Sequence, residues 1–510
     1  MSLLPELLLA ALLGALHSLP FVHPDAWWAQ WLIIAVFAWR VTRQTPRRAA
    51  ALGFLFGTAW LASGTWWLFI SMHVYGGLPS ALAVLAVAAL SAALSLYLAA
   101  AMAAFVRCSG VGGWRDALLF GAAWLLAELA RGVIFTGFPW VASGYAQVDA
   151  PLAMLAPWVG VYGLGFVMAA LAAWPATALR TRQRSLGAPL AALVLVLGGA
   201  TLLGATSFSS PNGTLSVTLL QGNVAQDEKF AAEQMPKALA WTREQLLKAH
   251  GELVVAPETV IPLLPSQLDA EYADYWMSLL THFQRGSQAV LLGLPLGSDE
   301  VGYTNSAAGI SNATVALAGG FYRYDKHHLV PFGEFIPNGF HWFTQMMNIP
   351  LGDFNRGIVG PPSFAFHGER IGTNICYEDL FGEELAARFV DEPNAPTMFA
   401  NISNIGWFGD TSAIAQHLQI SRMRALEFQR PMLRATNTGA TVVIDHTGHV
   451  TASLPPLTQG VLDANVQGRT GLTPYAWWVS RFGLWPLWML GAGVMLVSAR
   501  RARGGPAGPR

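Results

Sequence analysis

The hydrophobic and polar positions of this 510-residue chain fall into separate blocks. Long apolar stretches occupy both ends, and most polar residues lie between about residues 207 and 474. A helix needs ~20 apolar residues to cross a bilayer. Eight stretches approach or reach that length, at residues 3–19, 27–39, 49–71, 80–106, 117–134, 158–179, 187–206 and 482–498. The pattern predicts a polytopic α-helical membrane domain of about eight spans, of which the short second one fits a tilted or partly interfacial helix.

The first stretch has two interpretations, a signal peptide or a retained helix. It lacks a basic segment before its apolar residues and is followed by further spans, so we predict a retained helix. Composition supports a membrane protein, because 53% of residues are hydrophobic and only 12% are charged, against about a quarter in soluble domains. The formal net charge is +0 and no basic patch marks the polar block, which excludes nucleic acid as a partner.

Arginines follow every even-numbered stretch: Arg40, Arg43, Arg47 and Arg48; Arg107 and Arg115; Arg180, Arg182 and Arg184; and Arg500, Arg501 and Arg503. Cytoplasmic loops are enriched in Lys and Arg, so the N- and C-termini are predicted to be cytoplasmic. The polar block then lies outside, in a periplasm-like compartment. We expect seven transmembrane helices in 1–207, an external catalytic domain in 208–475, and an eighth helix with a basic cytoplasmic tail in 476–510.

The polar block alternates short β-type runs with helical ones. Strand-like runs include 215–220, 253–256 and 397–402, a hairpin is predicted within 364–376, and a helix is predicted over 415–429. Strands that alternate with helices indicate an α/β layered domain.

The two cysteines fall on opposite sides of the predicted membrane. Cys108 lies at the cytoplasmic end of the fourth span and is predicted to be structural, whereas Cys376 lies in the external domain. They therefore cannot form a disulfide. An unpaired cysteine in an oxidising compartment is either an inert core thiol or a functional one, and the cysteine count alone leaves both interpretations open.

Three polar residues follow strand-like runs: Glu258, Lys326 and Cys376. Ligand sites of α/β sheets form beyond the carboxyl ends of strands, so these residues are predicted to converge. A thiol that attacks a carbonyl needs a base, for which Glu258 is suited. The resulting oxyanion needs a cation or an N–H donor, for which Lys326 is suited. Because a helix-like run follows Cys376, we expect its backbone N–H groups and dipole to make the thiolate easier to hold.

The histidines that follow the lysine suggest a metal site or Cys–His catalysis as alternatives. His327 and His328 are adjacent, so their rings point in different directions, and no ligand partner lies at a metal-type spacing. We therefore predict no metal.

Three ordered motifs carry a family resemblance: Ala256-Pro257-Glu258, the run from Tyr324 through Lys326 to Glu334, and Asn374-Ile375-Cys376-Tyr377-Glu378. They resemble the nitrilase superfamily, in which a Glu–Lys–Cys triad lies in an α-β-β-α sandwich. The flanking spans, the motif from Phe135 to Trp140 and the arginine-rich run from Arg422 to Asn437 are similar to its membrane-embedded branch, the apolipoprotein N-acyltransferases. One departure is Asn404-Ile405-Gly406-Trp407, where many members carry Asn-Asp-Ala-Trp.

The resemblance implies a ping-pong N-acylation in the bacterial inner membrane, the last step of lipoprotein maturation. Cys376 would take an acyl chain from a phospholipid, typically phosphatidylethanolamine, as a thioester. The amine of a diacylglyceryl-cysteine on an apolipoprotein would then receive it, with no cofactor. Glu334 would be a second carboxylate that helps to position or relay the proton, and Tyr377 and Glu378 would line the pocket.

Two further segments have alternative interpretations. The Phe- and Met-rich residues 340–354 fit a mobile lid, a lipid-dipping loop or an ordinary packed insertion. Glu128 and Arg131 lie in the fifth span, where charges are expensive, and they fit either an ion pair one turn apart or a lipid headgroup site.

Three other functions compete with N-acyl transfer. A membrane-tethered amidase would use the same triad with water as acceptor, but a hydrolase of soluble amides needs no multi-span anchor. An inert sensor would not be expected to retain all three residues of the triad. A transporter would be expected to carry more charged residues within its spans than this chain has.

Overall fold

The computed structural model describes residues 3–179, 187–204, 206–229, 231, 233–272, 274–340, 342 and 353–504. The longer helices are α1 (Leu3–Leu16), α2 (Trp27–Val41), α3 (Pro46–Gly64), α4 (Ser80–Cys108), α5 (Gly113–Val133), α6 (Ala156–Ala178), α7 (Gly187–Gly204), α8 (Met235–Lys248), α9 (Pro265–Glu271), α10 (Tyr275–Arg285), α11 (Gly382–Ala386), α12 (Ser412–Phe428), α13 (Pro474–Phe482) and α14 (Trp485–Gly504). The strands are β1 (Ser209–Gln221), β2 (Leu253–Val255), β3 (Ala289–Ser298), β4 (Gly302–Ile310), β5 (Tyr322–Asp325), β6 (Phe364–Phe366), β7 (Glu369–Ile375), β8 (Met398–Ser403), β9 (Met432–Thr436), β10 (Val442–Ile444), β11 (Val450–Ser453) and β12 (Gly460–Gly471).

The chain forms two compact units. The first contains Met1–Trp66, Ala81–Ser207 and Phe482–Arg510, and the second contains Trp67–Ser80 and Phe208–Arg481. Among the described residues, four helices are long and apolar enough to cross a membrane, or up to six if each of two bent helix pairs is one span. The apolar helical region is thus confirmed, and the count of about eight spans stays a prediction. Helix α2, which covers the predicted second span, has 15 residues.

Inside the first unit, aromatic rings fill the space between helices. Phe37 and Phe56 lie with ring centroids 4.3 Å apart, and Trp60 stacks on Trp124 at 5.8 Å. The predicted pairing of Glu128 with Arg131 is present, at 3.9 Å between Oε1 and Nη2. Glu128 also accepts hydrogen bonds from the Ser143 backbone N–H and hydroxyl at 2.7 and 2.8 Å. The ion pair therefore also holds the loop that follows α5.

The second unit contains two six-stranded sheets, ordered β12-β1-β2-β3-β4-β5 and β11-β10-β9-β8-β7-β6. Strands β1, β2 and β3 are parallel, as are β7, β8 and β9. Leu253 and Val255 of β2 belong to the apolar core shared by both sheets, whereas Val254 packs with residues of α8 and α10. This alternation places one layer of helices outside the first sheet.

The other sheet is covered in the same way, since Phe399 of β8 contacts Phe428 of α12 at a ring separation of 5.4 Å. The layers form the predicted α-β-β-α sandwich, and β6 and β7 pair as the predicted hairpin.

The segment Trp67–Ser80 belongs to this second unit although it lies between two apolar helices in the sequence. Trp67 donates its indole N–H to Gln416 Oε1 at 3.0 Å, and its ring lies 4.3 Å from that of Phe408. These contacts between residues ~350 positions apart in the chain explain why no local sequence pattern predicted the assignment.

Candidate active site

Cys376 follows the last residue of β7 and begins a short 3₁₀ turn, Cys376–Leu380. Its backbone is in the left-handed region, with φ +53°, where a side chain other than that of glycine is uncommon. The backbone carbonyl of Cys376 accepts a hydrogen bond from Asn401 Nδ2 at 3.1 Å. The half-buried thiol therefore leaves a sharp turn at the carboxyl end of a central strand.

Glu258 and Lys326 lie at the corresponding edge of the other sheet. Glu258 follows β2, and Lys326 follows β5, which runs in the same direction as β2 because both intervening pairings, β3–β4 and β4–β5, are antiparallel. Lys326 is only 1% exposed, and its Nζ lies 3.4 Å from Glu258 Oε1 and 2.9 Å from Glu334 Oε1. Two carboxylates thus converge on one buried ammonium.

Asn305 of β4 joins the same two carboxylates. Its Nδ2 donates to Glu258 Oε1 at 2.7 Å and to Glu334 Oε1 at 2.6 Å. The remaining oxygen of each carboxylate accepts a backbone N–H at 2.8 Å, from Asn404 for Glu258 and from Val330 for Glu334. Because Asn404 follows β8, the neighbour of β7, its bond to Glu258 joins the two sheets where their strands end.

A second buried lysine lies on the other side of Glu258. Lys229 Nζ donates to the Glu258 backbone carbonyl at 3.2 Å. Burial lowers the pKa of Lys229 to about 8, although the nearby Glu258 and Cys376 favour its charged form. The ammonium is therefore partly titrated near neutral pH.

The Cys376 thiol and the Lys326 ammonium have opposite electrostatic settings. Burial raises the pKa of Cys376 well above its ordinary value, Glu258 raises it further, and Lys326 offsets only part of the rise. Burial acts to lower the pKa of Lys326, but the charges of Glu334 and Glu258 outweigh it and raise that pKa. The expectation that the turn makes the thiolate easier to hold is wrong on balance, because burial and nearby carboxylates outweigh the dipole of a short turn. The thiol needs a base, and the lysine stays cationic.

Glu378 is buried and joins the loops that carry Cys376 and Lys326. Its Oε2 accepts from the Tyr324 hydroxyl at 2.6 Å and from the Ile375 backbone N–H at 2.7 Å. Its Oε1 accepts the backbone N–H groups of His327 and His328, at 2.7 and 3.2 Å. A single carboxylate thereby fixes the chain on both sides of the site.

The rings around Glu378 have separate partners. Tyr377 is buried, with its ring 5.3 Å from that of Phe381. His327 donates from Nδ1 to the Gly357 carbonyl at 2.7 Å, whereas His328 Nδ1 lies 2.8 Å from Glu384 Oε1. The rings of His327 and His328 therefore have different partners. That Tyr377 and Glu378 line the pocket stays a prediction.

Sequence reasoning missed Asn305, Lys229 and the role of the Asn404 backbone. Asn305 had one available signal, as the only amide side chain in its strand, Gly302–Ile310. Of the proposed lid, residues 341 and 343–352 lie outside the described residues.

Comparisons with known proteins cover almost the whole chain. Residues 13–174 match the family model described as Apolipoprotein N-acyltransferase N-terminal domain, and residues 216–475 match that described as Carbon-nitrogen hydrolase. An apolipoprotein N-acyltransferase of Verminephrobacter eiseniae is 53% identical over 505 residues, covering 94% of this chain and 93% of the relative. Another, of Ralstonia nicotianae, is 47% identical over 506 residues, covering 98% and 94%.

Among solved structures, a carbon-nitrogen hydrolase of Helicobacter pylori matches with 18% identity and a TM-score of 0.36, covering 54% of this chain and 94% of that one. The sandwich and the match over residues 216–475 define the class, a membrane protein with a carbon-nitrogen hydrolase domain. More narrowly, the chain belongs to the apolipoprotein N-acyltransferase family.

Proposed function

We propose that Cys376 carries the acyl chain as a thioester between a phospholipid donor and an apolipoprotein amine, with Glu258 as base and Lys326 as oxyanion stabiliser. The enzyme is an N-acyltransferase of apolipoproteins, with lipid and lipoprotein substrates, as its family membership implies. The observation that carries the mechanism is the buried Glu258–Lys326–Glu334 cluster beside a thiol that is neutral at rest.

In the first half-reaction, Glu258 takes the Cys376 proton as the sulfur attacks the ester carbonyl of the phospholipid. The Lys326 ammonium, held cationic by two carboxylates, stabilises the negative charge on the carbonyl oxygen. When the tetrahedral intermediate collapses, the ester C–O bond breaks, and Glu258 returns its proton to the departing oxygen. A lysophospholipid and an S-acyl cysteine result.

In the second half-reaction, the neutral α-amine of a diacylglyceryl-cysteine attacks the thioester. Glu258 accepts a proton from the attacking nitrogen, the C–S bond breaks, and the thiolate regains a proton as the amide forms. Glu334 and Asn305 keep Lys326 and Glu258 in place throughout, since Glu334 accepts from Lys326 and Asn305 donates to both carboxylates. Tyr377 and Glu378 are proposed to support the pocket wall beside the sulfur.

We further propose phosphatidylethanolamine as the donor and the bacterial inner membrane as the location. The arginine distribution supports cytoplasmic N- and C-termini and a periplasmic catalytic domain. On the same basis the boundaries are 1–207 for seven spans, 208–475 for the catalytic domain, and 476–510 for an eighth span with its tail. Both substrates would then lie in the outer leaflet, within reach of that domain.

A membrane-tethered amidase is the second candidate, because the same three groups would serve if water attacked the thioester. The two reactions differ in their products. An acyltransferase yields an N-acylated peptide, whereas a hydrolase yields free fatty acid or ammonia.

The test is intact-protein mass spectrometry of the detergent-purified chain after incubation with phosphatidylethanolamine, on wild type, Cys376→Ala and Cys108→Ala. We expect one fatty-acyl mass increment on wild type and on the Cys108→Ala control, sensitive to hydroxylamine and transferable to a lipopeptide amine. No increment on wild type, or an equal one on Cys376→Ala, would refute the thioester. An increment that is released only to water would identify the amidase.

A further inference from the structure

A buried polar network contacts the backbone carbonyl of Cys376. His417 of α12 is 0% exposed, and its Nε2 lies 2.9 Å from Asp379 Oδ1 and 3.2 Å from the Cys376 carbonyl oxygen. Arg434 of β9 contacts the same group of side chains, with Nη1 3.4 Å from Asp379 Oδ2 and 2.5 Å from Ser421 Oγ. Side chains of helix α12 and strand β9 therefore both contact the turn that begins at Cys376.

The network fixes the tautomer of His417. A guanidinium has only donors, and Arg434 Nη2 lies 3.2 Å from His417 Nδ1, so Nδ1 must be the acceptor. The ring proton then sits on Nε2, where Asp379 and the Cys376 carbonyl are its available acceptors. Protonation of Nδ1 would set two donors against each other, so the contacts favour a neutral ring.

Asp379 supplies the negative charge of the network. Burial acts to raise the pKa of Asp379, but His417, Arg434 and the Ser421 hydroxyl hold it below its ordinary value. An ionised Asp379 therefore balances the buried Arg434 cation and accepts a hydrogen bond from His417 Nε2.

His417 Nε2 donates to the backbone carbonyl of Cys376, the residue that has the left-handed backbone. A left-handed backbone at a residue other than glycine costs about 1–3 kcal/mol and persists only where its surroundings over-determine it. At Cys376 the carbonyl oxygen meets two buried donors, Asn401 Nδ2 and His417 Nε2. Together they fix the peptide plane that follows the cysteine, and with it the direction in which Sγ leaves the turn.

We propose that His417 is a positioning residue for the Cys376 nucleophile, acting through an Nε2–H that Arg434 and Asp379 orient. The inference rests on the proposed function, because it requires Cys376 to be the nucleophile. If His417 had a structural role alone, it would only join α12 to β9. Its substitution would then change the stability of the protein and leave the acylation rate unchanged.

Two substitutions at one position separate these roles. His417→Gln keeps an amide donor near the Nε2 position, whereas His417→Asn keeps an acceptor for Arg434 near Nδ1 and loses the donor to Cys376. The melting temperature, the KM for phosphatidylethanolamine and the acylation rate of Cys376 are measured on the full chain in detergent. As a matched control, Thr473→Val removes a buried hydrogen bond to the Glu427 carbonyl, 2.7 Å long, elsewhere in the unit.

We expect all three variants to have a lower melting temperature than wild type. Their KM for phosphatidylethanolamine should change little. His417→Asn should lose about a hundredfold in acylation rate, as expected of a misplaced reacting group, His417→Gln should retain most of it, and Thr473→Val should match wild type. Equal rates in the Gln and Asn variants would overturn the inference. Product formation by Cys376→Ala would instead overturn the proposed function.

A measurement on the wild type covers the case in which either variant does not fold. The buried contacts predict an exchange-protected imidazole N–H signal at Nε2 and no proton on Nδ1. If proton and nitrogen NMR of histidine-labelled protein gave no such signal, the assignment of the network would be wrong.

Discussion

Asn305 offers a direct test of the carboxylate cluster, because one side-chain amide serves both glutamates. Asn305→Leu keeps roughly the same shape and removes both donors. Glu258 Oε1 and Glu334 Oε1 then share only the Lys326 ammonium, from which Glu258 is already 3.4 Å away. We expect Glu258 to lose the contact that holds it in place as a base.

The size of the expected effect follows from the two hydrogen bonds that Asn305 Nδ2 donates, at 2.7 Å to Glu258 Oε1 and at 2.6 Å to Glu334 Oε1. A hydrogen bond to a charged group contributes about 1.5–3 kcal/mol. The bond to Glu258 alone therefore predicts an increase of that size in the acylation barrier. Since 1.36 kcal/mol is a factor of ten in rate, acylation should slow by about 10- to 160-fold. The free energy of unfolding should fall by up to about 3–6 kcal/mol, because two bonds are lost.

The assay is a single-turnover experiment in which acyl incorporation on Cys376 is followed by quenching and intact-protein mass spectrometry. The matched control is Ser306→Ala, in the same strand and equally buried, whose hydroxyl donates to Asp325 Oδ1 at 2.6 Å. This control should lower the melting temperature while keeping acylation within about threefold of wild type, since the bonds it removes, to Asp325 Oδ1 and with Thr304 Oγ1, do not involve Glu258.

Acylation by Asn305→Leu within about threefold of wild type, together with a lower melting temperature, would refute the reasoning. It would mean that Lys326 and the Asn404 backbone suffice to orient Glu258. Equal slowing in the Ser306→Ala control would show instead that the rate only reports stability.

Two further predictions concern the thiol and the carboxylate that joins the two loops. In a Cys108→Ala background, alkylation of Cys376 by iodoacetamide should have its midpoint above the ~8.5 of a free cysteine, because the pKa of the thiol is raised. Lys326→Met should move that midpoint higher still, since the ammonium favours the thiolate, and an unchanged or lower midpoint would contradict the electrostatics. Glu378→Gln should reduce the free energy of unfolding by about 1–3 kcal/mol, because an amide donor would then face N–H groups from which the carboxylate accepts hydrogen bonds. Chemical denaturation measures this quantity, and a free energy of unfolding equal to that of wild type would contradict the prediction.

Much of the fold was accessible from the sequence because its signals are local. The apolar blocks, the alternating runs and the hairpin within 364–376 each depend on nearby residues only. Glu258, Lys326 and Cys376 were accessible for the same reason, since each directly follows a strand-like run.

The rest depends on contacts between distant segments. Asn305 is a single amide in a buried strand, and its importance lies in two carboxylates that are 47 and 29 residues away in the chain. The assignment of Trp67–Ser80 to the second unit depends on contacts of Trp67 with Gln416 and Phe408, which no local pattern includes. The protonation of Cys376 depends on burial and on the charges of Glu258, Lys326 and Glu334, which lie in two other loops and are not part of its own turn.

The left-handed backbone at Cys376 sets stability against activity. Glycine adopts that conformation without the penalty of a β-carbon, so Cys376→Gly would relieve strain while it removed the sulfur. Screens that enrich variants for heat tolerance alone would therefore favour an inactive chain at this position, as expected where function depends on a strained residue. A thermostabilised form of this enzyme has to be sought among substitutions that leave the turn unchanged.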